Sequence, residues 1–357
     1  MDLRKAVEQE MRDCALAAFE VMLGRAPEGE TTLALHAALP SAAEIVRTIG
    51  KSNEFLKRLN NNVLSHYNTT LNAPEIIGRH AKNNLKPNAQ FLTNFLGVKV
   101  DPKVNPQILA GQGGKVEQPP LVANWHADIA EWASVLRAIE LAQGTFTMAE
   151  LGCGWGCWMT NAGVAARDAG LDIHVIGVEG DETYVRFAQE TLANNDIPPS
   201  RYTIHRGVAA ATSGIALFPR QANPGDHYGL EPVFGASEAE RDKAVAAGTH
   251  DALPMVPMDR VVAEHRQLDL LHIDIQGGEY DLVSSCLDVL NERVAYMMIG
   301  THSRQIEGQL MQTLLSAGWI LEMERPAVLR LNESAPFTYI DGVQGWRNVR
   351  LNPHKTQ

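Results

Sequence analysis

The hydrophobic pattern changes character twice along the chain. Up to about residue 96, apolar side chains recur at helical spacing and strand-like alternation is missing. Ala15, Leu16, Phe19, Val21, Met22 and Leu23 form one stripe, which Gly24 and Pro27 end. Ser41-Ala42-Ala43-Glu44 has the spacing of a capping box and opens a short helix to Gly50, and Ser52-Asn53-Glu54 starts another. Between 97 and 123 the period disappears. Gly97, Pro102, Pro106, Gly111, Gly113, Gly114, Pro119 and Pro120 predict a linker or a strap. A helix is predicted over 124–143, with Trp125, Ile129, Trp132, Val135, Leu136 and Ile139 on one face.

From residue 146 strands and helices alternate, which predicts a parallel sheet covered on both faces. The expected strands are Phe146–Leu151, Ile173–Glu179, Tyr202–His205, Leu268–Ile275, Arg293–Gly300 and Trp319–Glu324. A short strand at Gly214–Phe218 precedes a largely irregular stretch over 219–257, helical over 236–247 and long enough to be a substrate wall. Phe337–Ile340 and Trp346–Leu351 read as a final hairpin. The organisation expected is a helical accessory domain over 1–96, a linker over 97–123 and an α/β domain over 124–357.

The 357 residues carry Lys+Arg 31 against Asp+Glu 42, a net charge of −11. That field repels nucleic acid, and no basic run overrides it, so no nucleic-acid substrate is expected. The four cysteines lack paired spacing and suit a reducing compartment. The longest apolar run, Val294–Ile299, is strand-sized, so no membrane span is expected and the chain reads as cytoplasmic.

The chemistry starts at Glu150-Leu151-Gly152-Cys153-Gly154-Trp155-Gly156, where a strand turns through three alternating glycines into a helix. Such a turn brings bare backbone to a ligand at a helix N-terminus. The next strand ends in Glu179-Gly180, and a terminal acid there accepts both hydroxyls of a ribose. The spacing is G-x-G-x-G, and acidic Glu150 precedes it. An anion at that place repels a pyrophosphate and suits an amino-bearing ligand, which disfavours a nicotinamide dinucleotide. Glu150 is expected near that amino end, with Gly207-Val208 flanking the base. Trp155 either shields the ligand or packs in the core.

This turn resembles motif I of the class I S-adenosylmethionine-dependent methyltransferases. A second motif, Leu270-Leu271-His272-Ile273-Asp274-Ile275-Gln276-Gly277-Gly278-Glu279, delivers Asp274 to the carboxyl end of a central strand. With Val256-Pro257-Met258-Asp259 upstream, the two motifs are similar to the FkbM methyltransferases over roughly 125–325. That resemblance implies a Rossmann-like class I methyltransferase sheet with a terminal antiparallel strand. It also implies S-adenosylmethionine as cofactor and a sugar or natural-product hydroxyl as acceptor. Two positions depart from the family: its usual Lys is His272 here, and its usual Glu is Gln276. Phe19 to Pro27 followed by Ser52-Asn53-Glu54-Phe55 resembles the small helical DUF4214 module of bacterial surface-glycan proteins. An all-helical cap or a dimerisation domain explains the same segment, the latter making a homo-oligomer.

His302 follows the strand after Asp274. A histidine beside a carboxylate suits removal of a hydroxyl proton near neutral pH. Alternatively Asp274 and His302 share a divalent metal, or His302 caps the helix from Arg304. Glu279 either orients the site or is a helix N-terminal charge. His227 and Tyr228, in the long loop, either reach the substrate or face solvent. His126, Asp128 and Glu131 line the cleft or belong to a polar helix surface. A rival from another class is a non-catalytic glycan-binding scaffold with a vestigial methyltransferase domain.

Overall fold

The computed structural model describes residues 3–221, 223 and 229–352. The chain divides into two compact units, one of residues up to 66 with 121–123, the other of 67–120 with the remainder. In the first, helices Leu3–Ala18, Glu30–Ala37, Ala42–Gly50 and Asn53–Asn61 gather a core of Ala15, Phe19, Met22, Leu23, Leu33, Ile45 and Ile49. Gly24 ends the first apolar stripe in the left-handed conformation, and the Ser41 hydroxyl accepts from the Glu44 amide as the capping pattern predicts.

The helical unit therefore stops earlier than the expected boundary at 96, and the expected linker is packed structure. Strand β1 (Asn68–Thr69) and a small ribbon of β2 (Leu92–Thr93) with β3 (Lys99–Val100) belong to the larger unit. Phe95, Leu96, Val98, Val100, Val104 and Leu109 are buried in its core. These side chains are spaced irregularly between glycines and prolines, so their burial leaves no period in the sequence.

The larger unit continues with β4 (Thr145–Leu151), β5 (Asp172–Glu179), β6 (Tyr202–Arg206), β7 (Val208–Ala210), β8 (Gly214–Pro219) and β9 (His250–Pro257). It closes with β10 (Leu270–Ile273), β11 (Tyr296–Thr301), β12 (Trp319–Arg325), β13 (Val328–Leu331), β14 (Pro336–Ile340) and β15 (Gly342–Asn348). The main sheet runs β1-β12-β15-β11-β10-β4-β5-β6. Strands β11, β10, β4, β5 and β6 pair in parallel, while β15 lies antiparallel between β11 and β12. This is the expected mixed α/β, Rossmann-like sheet with its terminal antiparallel strand. Two apolar cores, one on each face, bury nearly every side chain of β4, β10 and β11. Burial on both faces explains why these strands read as continuous apolar runs.

Two segments differ from expectation. Within 219–257 the expected helix forms over Glu238–Ala246, but β9 was not expected, and it pairs with β7 and β8 in a separate three-stranded sheet. Its Pro254, Pro257, His250 and Asp251 hide the strand pattern. At the C-terminal end β14 and β15 are not partners. β14 pairs with β13, and the turn at Asp341 sends β15 into the main sheet.

Candidate active site

The sheet order places the ends of β4, β5, β10 and β11 side by side, and both cavities open there. The first, about 510 Å³, is lined by Gly152, Gly154, Glu179, Gly180, Gly207, Val208 and Asp274 among others. Gly152 has φ +79°, and a Cβ there would stand 2.2 Å from the Asp274 carbonyl oxygen. Only glycine lets the turn pass so close to the end of β10. At the end of β5, Glu179 Oε2 accepts from the Gly154 amide at 2.8 Å and Oε1 from the Asp181 amide at 2.7 Å. Burial pushes the Glu179 carboxyl up to about 7, against those two amides.

Three expected ligand contacts lie elsewhere. Glu150 is buried, and its oxygens accept from the Trp158 and Met159 amides at 3.3 and 2.8 Å, so it caps the helix Cys157–Asp168. Gly156 is the left-handed residue that starts this helix and packs on Ala188. Trp155 is a core residue, stacked on Trp125 with ring centroids 5.8 Å apart. None of the three lines either cavity. His227 and Tyr228 lie outside the described residues.

The second cavity, about 370 Å³, is walled by polar side chains: His126, Glu131, Asp274, His302, Arg325 and Asp341. His302 Nδ1 meets Glu279 Oε1 at 2.8 Å, and its Nε2 lies 3.4 Å from Asp274 Oδ1 and 4.0 Å from Asp341 Oδ2. Burial alone would lower the imidazole pKa, but Glu279, Asp274 and Asp341 together raise it to about 9. His302 does not cap the next helix, since the Ser303 hydroxyl accepts from the Ile306 amide. Glu279, fully buried, takes the Ile275 and Gly277 amides as well as His302, so it holds the imidazole and the turn together.

The nearest carboxylate on the imidazole is thus Glu279, where Asp274 was expected to support it. Asp274 instead lines both cavities and is held by the Gln276 side-chain amide at 3.2 Å. Gln276 has φ +56°, an unusual conformation for a residue with a side chain, at the junction of the two spaces. His272 sits 3.4 Å from Glu150. Of the residues before β4, His126 and Glu131 line the second cavity, while Asp128 is an N-cap that pairs with Arg325. Burial pushes His126 down to about 3 and, with Asp128, pushes Glu131 up to about 8. Asp341 and Arg325 were not foreseen, because a turn Asp and a strand Arg carry no spacing signal.

A protein of Jannaschia sp. (strain CCS1) named "Putative methyltransferase" is 43% identical over 263 residues, which cover 74% of this chain and 94% of the relative. The chain belongs to its family of methyltransferases. The enzyme is S-adenosylmethionine-dependent, as the glycine turn and β5 acid imply. No family model matches the chain. Among solved structures, the methyltransferase FkbM from Methylobacillus flagellatus KT shares 14% identity at a TM-score of 0.37, over 61% of this chain and 55% of its own. An rRNA methylase from Streptococcus thermophilus shares 8% at 0.33, over 60% and 93%.

The first cavity fits the cofactor: bare backbone at Gly152, Gly154, Gly180 and Gly207 borders it, and Glu179 offers a carboxylate to ribose hydroxyls. Asp274, Glu279 and His302 also offer ligand atoms within 4.8 Å of one another. The two imidazole nitrogens face the carboxylates of this same cluster. Among the described residues no helix is long and apolar enough to cross a membrane.

Proposed function

We propose that the enzyme transfers a methyl group to a hydroxyl of a glycan or glycosylated metabolite, with His302 as the proton acceptor. The observation that carries this is the pairing of His302 with buried Glu279 on the wall of a polar cavity that meets the cofactor cavity at Asp274. S-adenosylmethionine, when bound, supplies an electrophilic methyl that leaves a sulfonium as the new C–O bond forms. His302 Nε2 takes the hydroxyl proton, and Glu279 holds Nδ1–H and stabilises the resulting imidazolium. Asp274 fixes the acceptor oxygen at the junction, and much of the rate comes from holding it in line with the methyl.

The acceptor class is inferred from the second cavity. Its carboxylates, histidines and arginine offer donors and acceptors on several sides, as a hydroxyl-rich ring requires, whereas an apolar alcohol would leave them unpaired. A divalent ion held by Asp274 and His302 is the competing way to acidify a hydroxyl. The 2.8 Å bond of Glu279 to Nδ1, which leaves Nε2 as the proton-accepting nitrogen, favours the base. Methyl transfer to a panel of sugars and methyl glycosides, followed by mass spectrometry, tests the reaction. A product methylated on nitrogen or carbon would overturn it.

A further inference from the structure

Gly229, Asp274 and Gln276 line both cavities, and Asp274 is the charged residue of the three. A methyl passing from cofactor to acceptor would cross there, which would bring the sulfonium that carries it against Asp274. The surroundings hold more negative charge than their cations answer. Asp274, Glu279 and Asp341 all face His302, which bears one positive charge at most. Arg325, the arginine on that wall, is already paired with Asp128. Among the buried groups of that wall, His272 Nδ1, 3.4 Å from Glu150 Oε1, and Arg325 Nη1 have no hydrogen bond, which fits a strongly polar occupant.

We infer that Asp341, acting with Asp274, recognises the positive charge of the cofactor, so that the charged methyl donor is held more tightly than its neutral demethylated product. This rests on the cofactor assignment made above. Asp341 reaches this place only because the turn after β14 sends β15 back beside β11. In the transfer the S–CH3 bond breaks, the O–CH3 bond forms and the hydroxyl proton goes to His302 Nε2. One positive charge therefore moves from the sulfur to the imidazole, and the same carboxylates face it before and after. The product left behind has no charge for Asp341 to hold, which favours its departure.

The test is calorimetric and needs no acceptor. S-adenosylhomocysteine is the neutral probe, and sinefungin, with an ammonium-bearing carbon in place of the sulfonium, is the cationic one. Wild type should bind sinefungin about tenfold or more tightly than S-adenosylhomocysteine, and added salt should narrow the preference. Asp341→Asn should bring the two affinities to within about threefold while leaving that of S-adenosylhomocysteine unchanged, which also shows that the variant is folded. Asp274→Asn should reduce the preference as well. An unchanged preference in Asp341→Asn, or equal weakening of both probes, would overturn the inference. Failure of both probes to bind wild type would instead remove the cofactor assignment beneath it.

Discussion

His302 Nδ1 lies 2.8 Å from Oε1 of Glu279, a carboxylate with no exposed surface. The pairing raises the imidazole pKa to about 9, after burial has pulled the other way. The base is the deprotonated imidazole, so activity increases as pH rises toward that value. We predict that kcat/KM climbs about tenfold per pH unit above neutrality and levels near pH 9. Glu279→Gln removes the charge that holds the proton. Its plateau should begin at lower pH and lie about 10- to 100-fold below wild type. A pH–rate profile whose midpoint is the same in both proteins would contradict this role.

Glu179 gives the opposite dependence for cofactor binding. Its carboxyl is pushed up to about 7 by burial and must be ionised to accept two ribose hydroxyls. Affinity for S-adenosylhomocysteine should fall as pH drops through neutrality, approaching about tenfold per unit on the acid side. Glu179→Gln should bind about 10- to 100-fold more weakly at neutral pH and lose the dependence. Calorimetry on both proteins decides it, and equal slopes would reject the assignment.

The glycines of the turn differ in what they protect. A Cβ at Gly152 would meet the Asp274 carbonyl at 2.2 Å, whereas one at Gly154 has no neighbour within 4 Å, and both residues have positive φ. Gly152→Ala should cost on the order of 3 kcal/mol of stability, from strain and the clash together. Gly154→Ala should cost only about 1 kcal/mol, yet weaken cofactor binding at the same cavity. Chemical denaturation and calorimetry would separate the two effects. Equal stability losses would show that the contact with Asp274 does not constrain the turn.

In the core, Glu322 accepts from two buried guanidinium groups, Arg137 and Arg347. Removing the shared carboxylate takes the counter-charge from both buried cations. Glu322→Ala should lose about 3 to 5 kcal/mol, seen as a lower denaturant midpoint at unchanged slope. A loss below about 1 kcal/mol would mean that the pair is solvated.

The central parallel strands β4, β10 and β11 were legible because they are buried on both faces and leave apolar runs. Gly152, Gly154 and Glu179 were legible as a lining of the first cavity because a tight turn and a strand-end acid each demand particular residue types at fixed spacing. What escaped had no such signature. Residues 92–109 fill the core with unevenly spaced side chains, and β9 is a strand broken by proline. Glu150 was placed by its charge beside the cofactor, but the open amides of the following helix take its oxygens first. Asp341 reaches His302 through a long-range strand crossing that local sequence does not encode, so the wall of the acceptor cavity emerged only from the fold.

The decisive measurement is transfer of labelled methyl from S-adenosylmethionine to a sugar panel by wild type and His302→Ala, with product analysis and S-adenosylhomocysteine affinity measured in parallel. O-methylation that falls about 10²- to 10⁴-fold in the variant, at unchanged affinity, is the predicted result. Wild-type turnover by His302→Ala at saturating acceptor would contradict it, and label on nitrogen or carbon would place the chemistry elsewhere.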